Sequence, residues 1–129
     1  MRLRWIAGDF SICRVRDLSQ VKWQEDWTFA AIRPGELSLL CKSAHVPPDA
    51  LKREDGYCGF EIVGQLDFSL IGILARISTV LAEAGVSILA QSTFDTDCVF
   101  LKTAQRQVAA QALVDAGYTF VEEGEDDAL

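Results

Sequence analysis

The sequence predicts an α+β chain whose second half runs strand, helix, strand, strand, helix, strand, and three observations carry that expectation. Residues 59–66 are apolar on both faces toward their middle, as a central strand requires. Two later stretches repeat apolar residues at three-four spacing and each ends at a glycine. Between them, two runs rich in β-branched and apolar residues flank Asp95-Thr96-Asp97, a turn sequence, and read as a hairpin.

The strand at 59–66 is broken by Asp67-Phe68-Ser69, and Ser69 is placed to N-cap the helix after it. Leu70, Leu74, Ile77, Leu81 and Ala84 then draw one face of a helix over residues 70–84, with Gly85 where a left-handed C-cap belongs. Residues 86–93 and 98–101 form the hairpin. Val108, Ala109, Ala112, Leu113 and Ala116 mark the second helix, closed by Gly117, and residues 118–121 are a last short strand. Two helices of this length cover one face of a four-stranded sheet. Right-handed crossovers leave the split βαβ, or ferredoxin-like βαββαβ, arrangement as the simplest closed solution.

The first half reads as a degenerate copy. A strand at 9–15 precedes a helical turn at 17–23, and a hairpin at 27–33 and 36–42 turns on Pro34-Gly35. A short helix opened by proline is expected within 46–53, and Gly56 leads into Tyr57 and Cys58. The order is again βαββα with poor helices, which gives antiparallel-rich sheets in a tandem repeat. The expected division is residues 1–57 as the degenerate unit, 58–122 as the better unit and 123–129 as an acidic tail.

Charge and composition exclude several classes. The net charge is −7, but Glu122, Glu123, Glu125, Asp126 and Asp127 supply five of the negative charges near the C-terminus. The body is close to neutral and shows no basic stripe, so no nucleic-acid partner is expected. No apolar run reaches the length of a membrane span, and none near Met1 resembles a signal peptide. Cys13, Cys41, Cys58 and Cys98 sit within apolar runs with no Cys-x-x-Cys pair, which predicts reduced core thiols and a cytoplasmic location. One histidine in the chain leaves no zinc set, and no metal or cofactor is expected.

A catalytic reading finds little support. His45 lies in a loop beside Val46-Pro47-Pro48, and only Cys41 is near it in sequence. No phosphate loop or dinucleotide fingerprint occurs, and the carboxylates of Asp95 and Asp97 lack a third ligand type. A small-molecule site is better placed at the 66–72 segment. There a helix begins at the end of a central strand, its first amides are unpaired, and Gly72 permits close approach of a ligand to the backbone. Asp67 could meet an ammonium. Ser92, Thr93, Phe94, Asp95, Thr96 and Asp97 offer hydroxyls, a ring and carboxylates at the hairpin end. Each also has a plain structural role: Asp67 and Ser69 as caps, Asp95 and Asp97 as turn formers, Phe68 and Phe94 as core rings.

Leu66-Asp67-Phe68-Ser69-Leu70-Ile71-Gly72, Leu81-Ala82-Glu83-Ala84-Gly85-Val86 and Ser92-Thr93-Phe94-Asp95-Thr96-Asp97 together resemble small bacterial proteins of the ACT-domain family that hold two ACT-like units in one chain. Leu3-Arg4-Trp5 and residues 8–13 resemble the N-terminal opening of such proteins. The resemblance implies a βαββαβ fold and a regulatory protein that is not an enzyme. It implies binding of a free amino acid or related small molecule at an interface between units. Carried over, it implicates Asp67, Ser69, Leu70, Ile71 and Gly72, with Thr93, Phe94, Asp95 and Asp97 as a second wall. It further implies a homodimer and an unidentified regulated protein as partners. The alternative is a structural or protein-interaction module with no small ligand.

Overall fold

The computed structural model describes residues 1–64 and 71–122. The chain divides into two units, one of Met1–Ala7 with Cys58–Leu129 and one of Gly8–Tyr57. Strand β1 (Arg2–Arg14) and strand β4 (Lys52–Ile62) give residues to both.

In the first of these, the helical unit, β4 is succeeded by α1 (Ile73–Glu83), β5 (Ile88–Ser92), β6 (Asp97–Lys102), α2 (Arg106–Asp115) and β7 (Thr119–Phe120). This is the expected βαββαβ order, and the protein is α+β and ferredoxin-like. β5 pairs antiparallel with β6, and β6 lies beside β4. One strand here goes beyond the sequence pattern. Residues 2–7 of β1 run between β4 and β7: the Val63 amide donates to the Arg2 carbonyl at 3.0 Å, while the Thr119 and Val121 amides donate to the carbonyls of Met1 and Leu3 at 3.2 and 2.8 Å. β7 therefore pairs in parallel with β1 rather than with β4. The alternation in residues 2–6 explains the insertion. Leu3 and Trp5 join the core under the helices, and Arg4 turns to the other face to pair with Glu61 at 3.1 Å.

That core gathers Cys58, Phe60 and Ile62 of β4 and Val99 and Leu101 of β6 against Ile77 and Leu81 of α1 and Ala109 and Leu113 of α2. Both helices thus cover one sheet face, each large aliphatic contributing roughly 1.5–3 kcal/mol by its burial. On the opposite face the Phe100 ring lies so close to Gly59 that a Cβ there would stand 2.4 Å from it. Among the described residues the predicted helix faces hold with one exception: Val108 is 54% exposed, because Ala109 and Leu113 set the buried stripe of α2.

Both helices end in the same way. Gly85 and Gly117 take φ of 78° and 100°. The Gly85 and Val86 amides donate to the carbonyls of Ala82 and Leu81, and the Gly117 and Tyr118 amides donate to those of Val114 and Leu113. This paired pattern is the Schellman motif. The start of α1 departs from expectation. It begins at Ile73 with Gly72 as N-cap at φ 80°, not at Leu70 behind a Ser69 cap. A left-handed residue interrupts a right-handed helix, so none can run through Gly72. Asp67, Ser69 and Leu70, and with them Phe68, lie outside the described residues, as does the tail at 123–129.

The strand unit comprises residues 8–14 of β1, β2 (Phe29–Arg33), β3 (Glu36–Lys42) and residues 52–57 of β4. Its strand order is β4-β1-β3-β2, with β1 and β3 in register from Phe10–Lys42 to Arg14–Ser38. Pro34-Gly35 makes the two-residue hairpin turn between β2 and β3, with Gly35 at φ 82°. Neither expected helix forms. Over 17–23, the Asp17 carboxylate accepts the Ser19 amide at 2.9 Å and the Ser19 hydroxyl at 2.5 Å, giving the backbone a turn in place of a helix. Those bonds hold the Asp17 carboxyl below its ordinary range. Over 46–53, consecutive prolines remove two donors and force Pro47 away from helical geometry, so a single turn closes from Ala50 to Pro47 and β4 starts at Lys52.

Loop residues do the covering instead. Val15, Val21 and Val46, with Leu18 and Ala50, pack over Cys13, Leu39 and Cys41. A fully buried hydroxyl, Ser11, is satisfied by the Ser43 hydroxyl at 2.7 Å and the Asp55 carboxylate at 2.5 Å. All four cysteines are free and buried. Burial pushes the Cys98 thiol up to about 12 and the Cys41 thiol up to about 11. Among the described residues no helix is long and apolar enough to cross a membrane.

Candidate functional site

The start of α1 and the end of α2 come together in the helical unit and frame a cleft of about 310 Å³. Its lining is Met1, Ile71, Gly72, Ile73, Arg76, Ala116, Gly117 and Tyr118. Local chemistry builds both sides. Gly72 turns the chain into α1, and the Arg76 amide closes the first helical bond onto the Gly72 carbonyl at 2.9 Å. Glycine brings no side-chain cap, so the amides of the first turn receive none from it. Across the cleft, the Schellman turn at Gly117 aims the chain so that Tyr118 is buried.

Arg76 joins the two sides. One guanidinium nitrogen, Nη2, donates to the Ala116 carbonyl at 2.9 Å, and the guanidinium carbon lies 5.4 Å from the centre of the Tyr118 ring. A cation early in a helix is unfavourably placed on its own macrodipole, but here it sits at the carbonyl end of α2, where a positive charge is favoured. Among the described lining residues Arg76 has the one charged side chain. A cleft with apolar walls and a single fixed guanidinium can hold a small anion with an apolar body.

A second depression of about 560 Å³ lies in the strand unit against Ile12, Cys13, Arg14, Glu36, Ser38, Lys52, Arg53 and Glu54. It is larger, but Arg14, Glu36 and Arg53 already hold partners there. Glu36 accepts from Ser38 at 2.6 Å and Arg33 at 2.5 Å, and these bonds, the Ser38 hydroxyl foremost, hold its carboxyl below the usual range. Arg14 donates to the Gly35 carbonyl at 2.6 Å. The cleft beside Arg76 is the better candidate. Among the described residues no three His, Cys, Asp or Glu side chains are grouped as metal ligands.

Of the residues expected from sequence, Ile71 and Gly72 line the cleft, with Ile71 95% exposed. Thr93, Phe94, Asp95 and Asp97 stand at the hairpin end and are not among its lining residues. There the Thr93 amide and hydroxyl both donate to the Thr96 carbonyl, at 2.8 and 3.1 Å, and the Asp97 carboxylate accepts the Ser92 hydroxyl at 2.5 Å. Thr96 donates to the Ile62 carbonyl at 2.8 Å, tying the hairpin to the end of β4. Phe94 is 75% exposed and is not a core ring. The expectations at Asp67, Ser69 and Leu70 fall outside the described residues. Sequence reasoning missed Arg76, Ala116 and Tyr118. The signal present was a lone arginine early in a helix, where the dipole disfavours it, which implies a partner on another element.

A family description, the ACT domain, matches residues 52–115. No curated protein matches the sequence. A crystal structure of an Agrobacterium tumefaciens protein is similar at 23% identity with TM-score 0.84, covering 96% of this chain and 94% of that one. A Vibrio cholerae protein of unknown function, described as a possible transport protein, is similar at 21% identity with TM-score 0.69, covering 88% of each chain. The regulatory subunit of aspartate kinase from Thermus thermophilus is similar at 12% identity with TM-score 0.61, covering 89% of this chain and 97% of that one. At these identities the three share the fold with this chain. The ACT domain is a regulatory domain, and residues 52–115 of this chain match it.

Proposed function

We propose that this protein is a regulatory sensor that binds a free amino acid or a related small molecule in the cleft beside α1. The observation that carries the reading is the Arg76 guanidinium held against the Ala116 carbonyl and the Tyr118 ring at the edge of a cleft of amino-acid size. Ile71 and Gly72 form its floor. Asp67, Ser69 and Leu70, the residues just before it in sequence, complete that floor, and Asp67 takes the ligand ammonium. Thr93, Phe94, Asp95 and Asp97 serve as the second wall when a second copy supplies its hairpin. Support for a homodimer of this kind is the exposure of Ile71 and Phe94, apolar surface that a second copy would cover. The protein acts in the cytoplasm on a separate protein and catalyses no reaction itself.

A thermal-shift screen against the twenty amino acids tests this. A ligand at 100 times its dissociation constant stabilises the fold by about 2.7 kcal/mol, which moves the melting point of a protein this small by several degrees. Stabilisation by one amino acid or a close group of them is expected. A folded sample that responds to none of them overturns the sensor reading.

A further inference from the structure

We propose that Cys13 and Cys41 together bind one copper(I) ion as a two-coordinate bis-thiolate within the core of the strand unit. The amino-acid reading plays no part in this, since the cleft beside Arg76 belongs to the helical unit. Three observations carry it.

The first is the placement of the two sulfurs. Cys13 stands opposite Leu39, and Cys41 opposite Ser11, in the ladder between β1 and β3. The two cysteines are therefore diagonal neighbours on one sheet face, and their thiols share a hydrogen bond. Diagonal neighbours have Cα atoms about 7–8 Å apart, whereas a disulfide needs about 7 Å or less. Ladder pairs on either side, Phe10–Lys42 and Arg14–Ser38, hold the strands at their spacing. The sulfurs of a disulfide lie about 2 Å apart. An ion between two thiolates, with bonds of about 2.3 Å, asks instead for about 4.6 Å between sulfurs. The diagonal suits a bridging ion better than a direct sulfur–sulfur bond.

The second is the surroundings. Cys13 and Cys41 are 3% and 1% exposed, and Val15, Val21, Leu39 and Val46 enclose them. Among the described residues no third His, Cys, Asp or Glu side chain joins them as a ligand. Zinc, which takes four ligands, is not served by two thiols in an apolar shell. Copper(I) is a soft ion that favours thiolate, and two sulfurs in line complete its coordination. Val15, Val21 and Val46 lie outside the strands and helices, so local opening of loop backbone gives an ion its route.

The third is charge. Burial is the larger influence and keeps both sulfurs as thiols, with Cys41 raised to about 11. Against it, the Arg53 guanidinium favours the thiolate at both, and the Leu39 backbone adds a hydrogen bond that does so at Cys13. Asp55, which pairs with Arg53 at 2.9 Å, opposes it at Cys13 with a smaller effect. Binding exchanges the two thiol protons for one cuprous ion. Two S–H bonds break, two S–Cu bonds form, and the complex keeps a single negative charge. No electron is transferred.

Titration of the reduced full chain with copper(I), in competition with a chromophoric cuprous chelator and without oxygen, tests the proposal. One ion per chain is expected, with two protons released for each ion bound. Cys13→Ala and Cys41→Ala should each weaken binding by more than the roughly 10–100-fold that loss of an outer-shell partner costs. Cys98→Ala, at a residue of the helical unit, should bind like the parent chain. Melting points show which variants are folded. X-ray absorption on the parent complex needs no variant, and should show two sulfur neighbours with no nitrogen or oxygen. A parent chain that takes up no copper(I) overturns the proposal. So does undiminished binding in folded Cys13→Ala or Cys41→Ala, an equal loss in Cys98→Ala, or any shell other than two sulfurs.

Discussion

The helical unit and the strand unit use closely related strand orders and solve the same problem of covering a sheet by different means. In the helical unit, α1 and α2 lay Ile77, Leu81, Ala109 and Leu113 on β4 and β6. In the strand unit, the corresponding connections are loops, and Val15, Val21 and Val46 cover Leu39 and Cys41 from irregular backbone. The difference decides where a ligand can be held. Two helices ended by tight glycine turns leave termini that meet at a cleft with one fixed guanidinium, whereas the strand unit presents a depression in which Arg14, Glu36 and Arg53 already hold partners. Cover by helices frames the cleft beside Arg76, and cover by loops leaves the more open depression.

The comparison can be broken first at the two cores. Leu113→Ala in α2 should cost about 3 kcal/mol, and Leu39→Ala in β3 about 2 kcal/mol, because loop backbone collapses onto a cavity more readily than a helix does. Urea unfolding of both variants measures this, and an equal or reversed order would remove the claim that the loop-covered core is the softer one. Gly59→Ala should cost about 2 kcal/mol by overpacking, since the new methyl meets the buried Phe100 ring. A wild-type unfolding midpoint in this variant would mean that the ring is free to move aside.

The helix ends come next. Gly117→Ala should lower stability by about 1 kcal/mol through its positive φ, and should weaken ligand binding as Tyr118 shifts. Gly35→Ala in the strand unit carries a similar local strain at φ 82° but should leave ligand affinity unchanged, which titration calorimetry can read beside the melting point.

The smallest effect is in the thiols, and it sets the two units apart again. Burial raises Cys41 to about 11 and Cys98 to about 12 from an ordinary 9.0. A raised thiol pKa means that the fold favours the protonated form. Its contribution is therefore complete below pH 9 and is lost as pH rises through 11 and 12. Thiolate absorbance measured against pH should show Cys41 of the strand unit titrating before Cys98 of the helical unit, with the melting point falling over the same interval. Rapid alkylation of either thiol in the native protein at neutral pH would contradict the burial on which this rests.

The sequence by itself determined the βαββαβ order of the second half, both glycine-closed helices, the Pro34-Gly35 hairpin and the buried thiols. Each depends on contacts within a few residues: periodicity over three or four positions, a left-handed glycine after a helix, a proline that sets one angle. Gly72 was singled out by local pattern at the strand–helix junction and Ile71 by the resemblance alone, and both line the cleft. Tertiary structure decided the rest. Pairing of β1 with both β4 and β7 joins residues more than fifty positions apart, and no local pattern in residues 2–7 names those partners. The helices expected at 17–23 and 46–53 gave way to side-chain turns and consecutive prolines once the strands offered a face that loops could cover. The cleft itself needs Arg76 on one helix and Ala116 and Tyr118 beyond another, forty residues apart in the chain and 2.9 Å apart at the hydrogen bond. A guanidinium held in that way exists only when two helix ends are brought together, because neither end alone both holds it still and supplies the wall beside it.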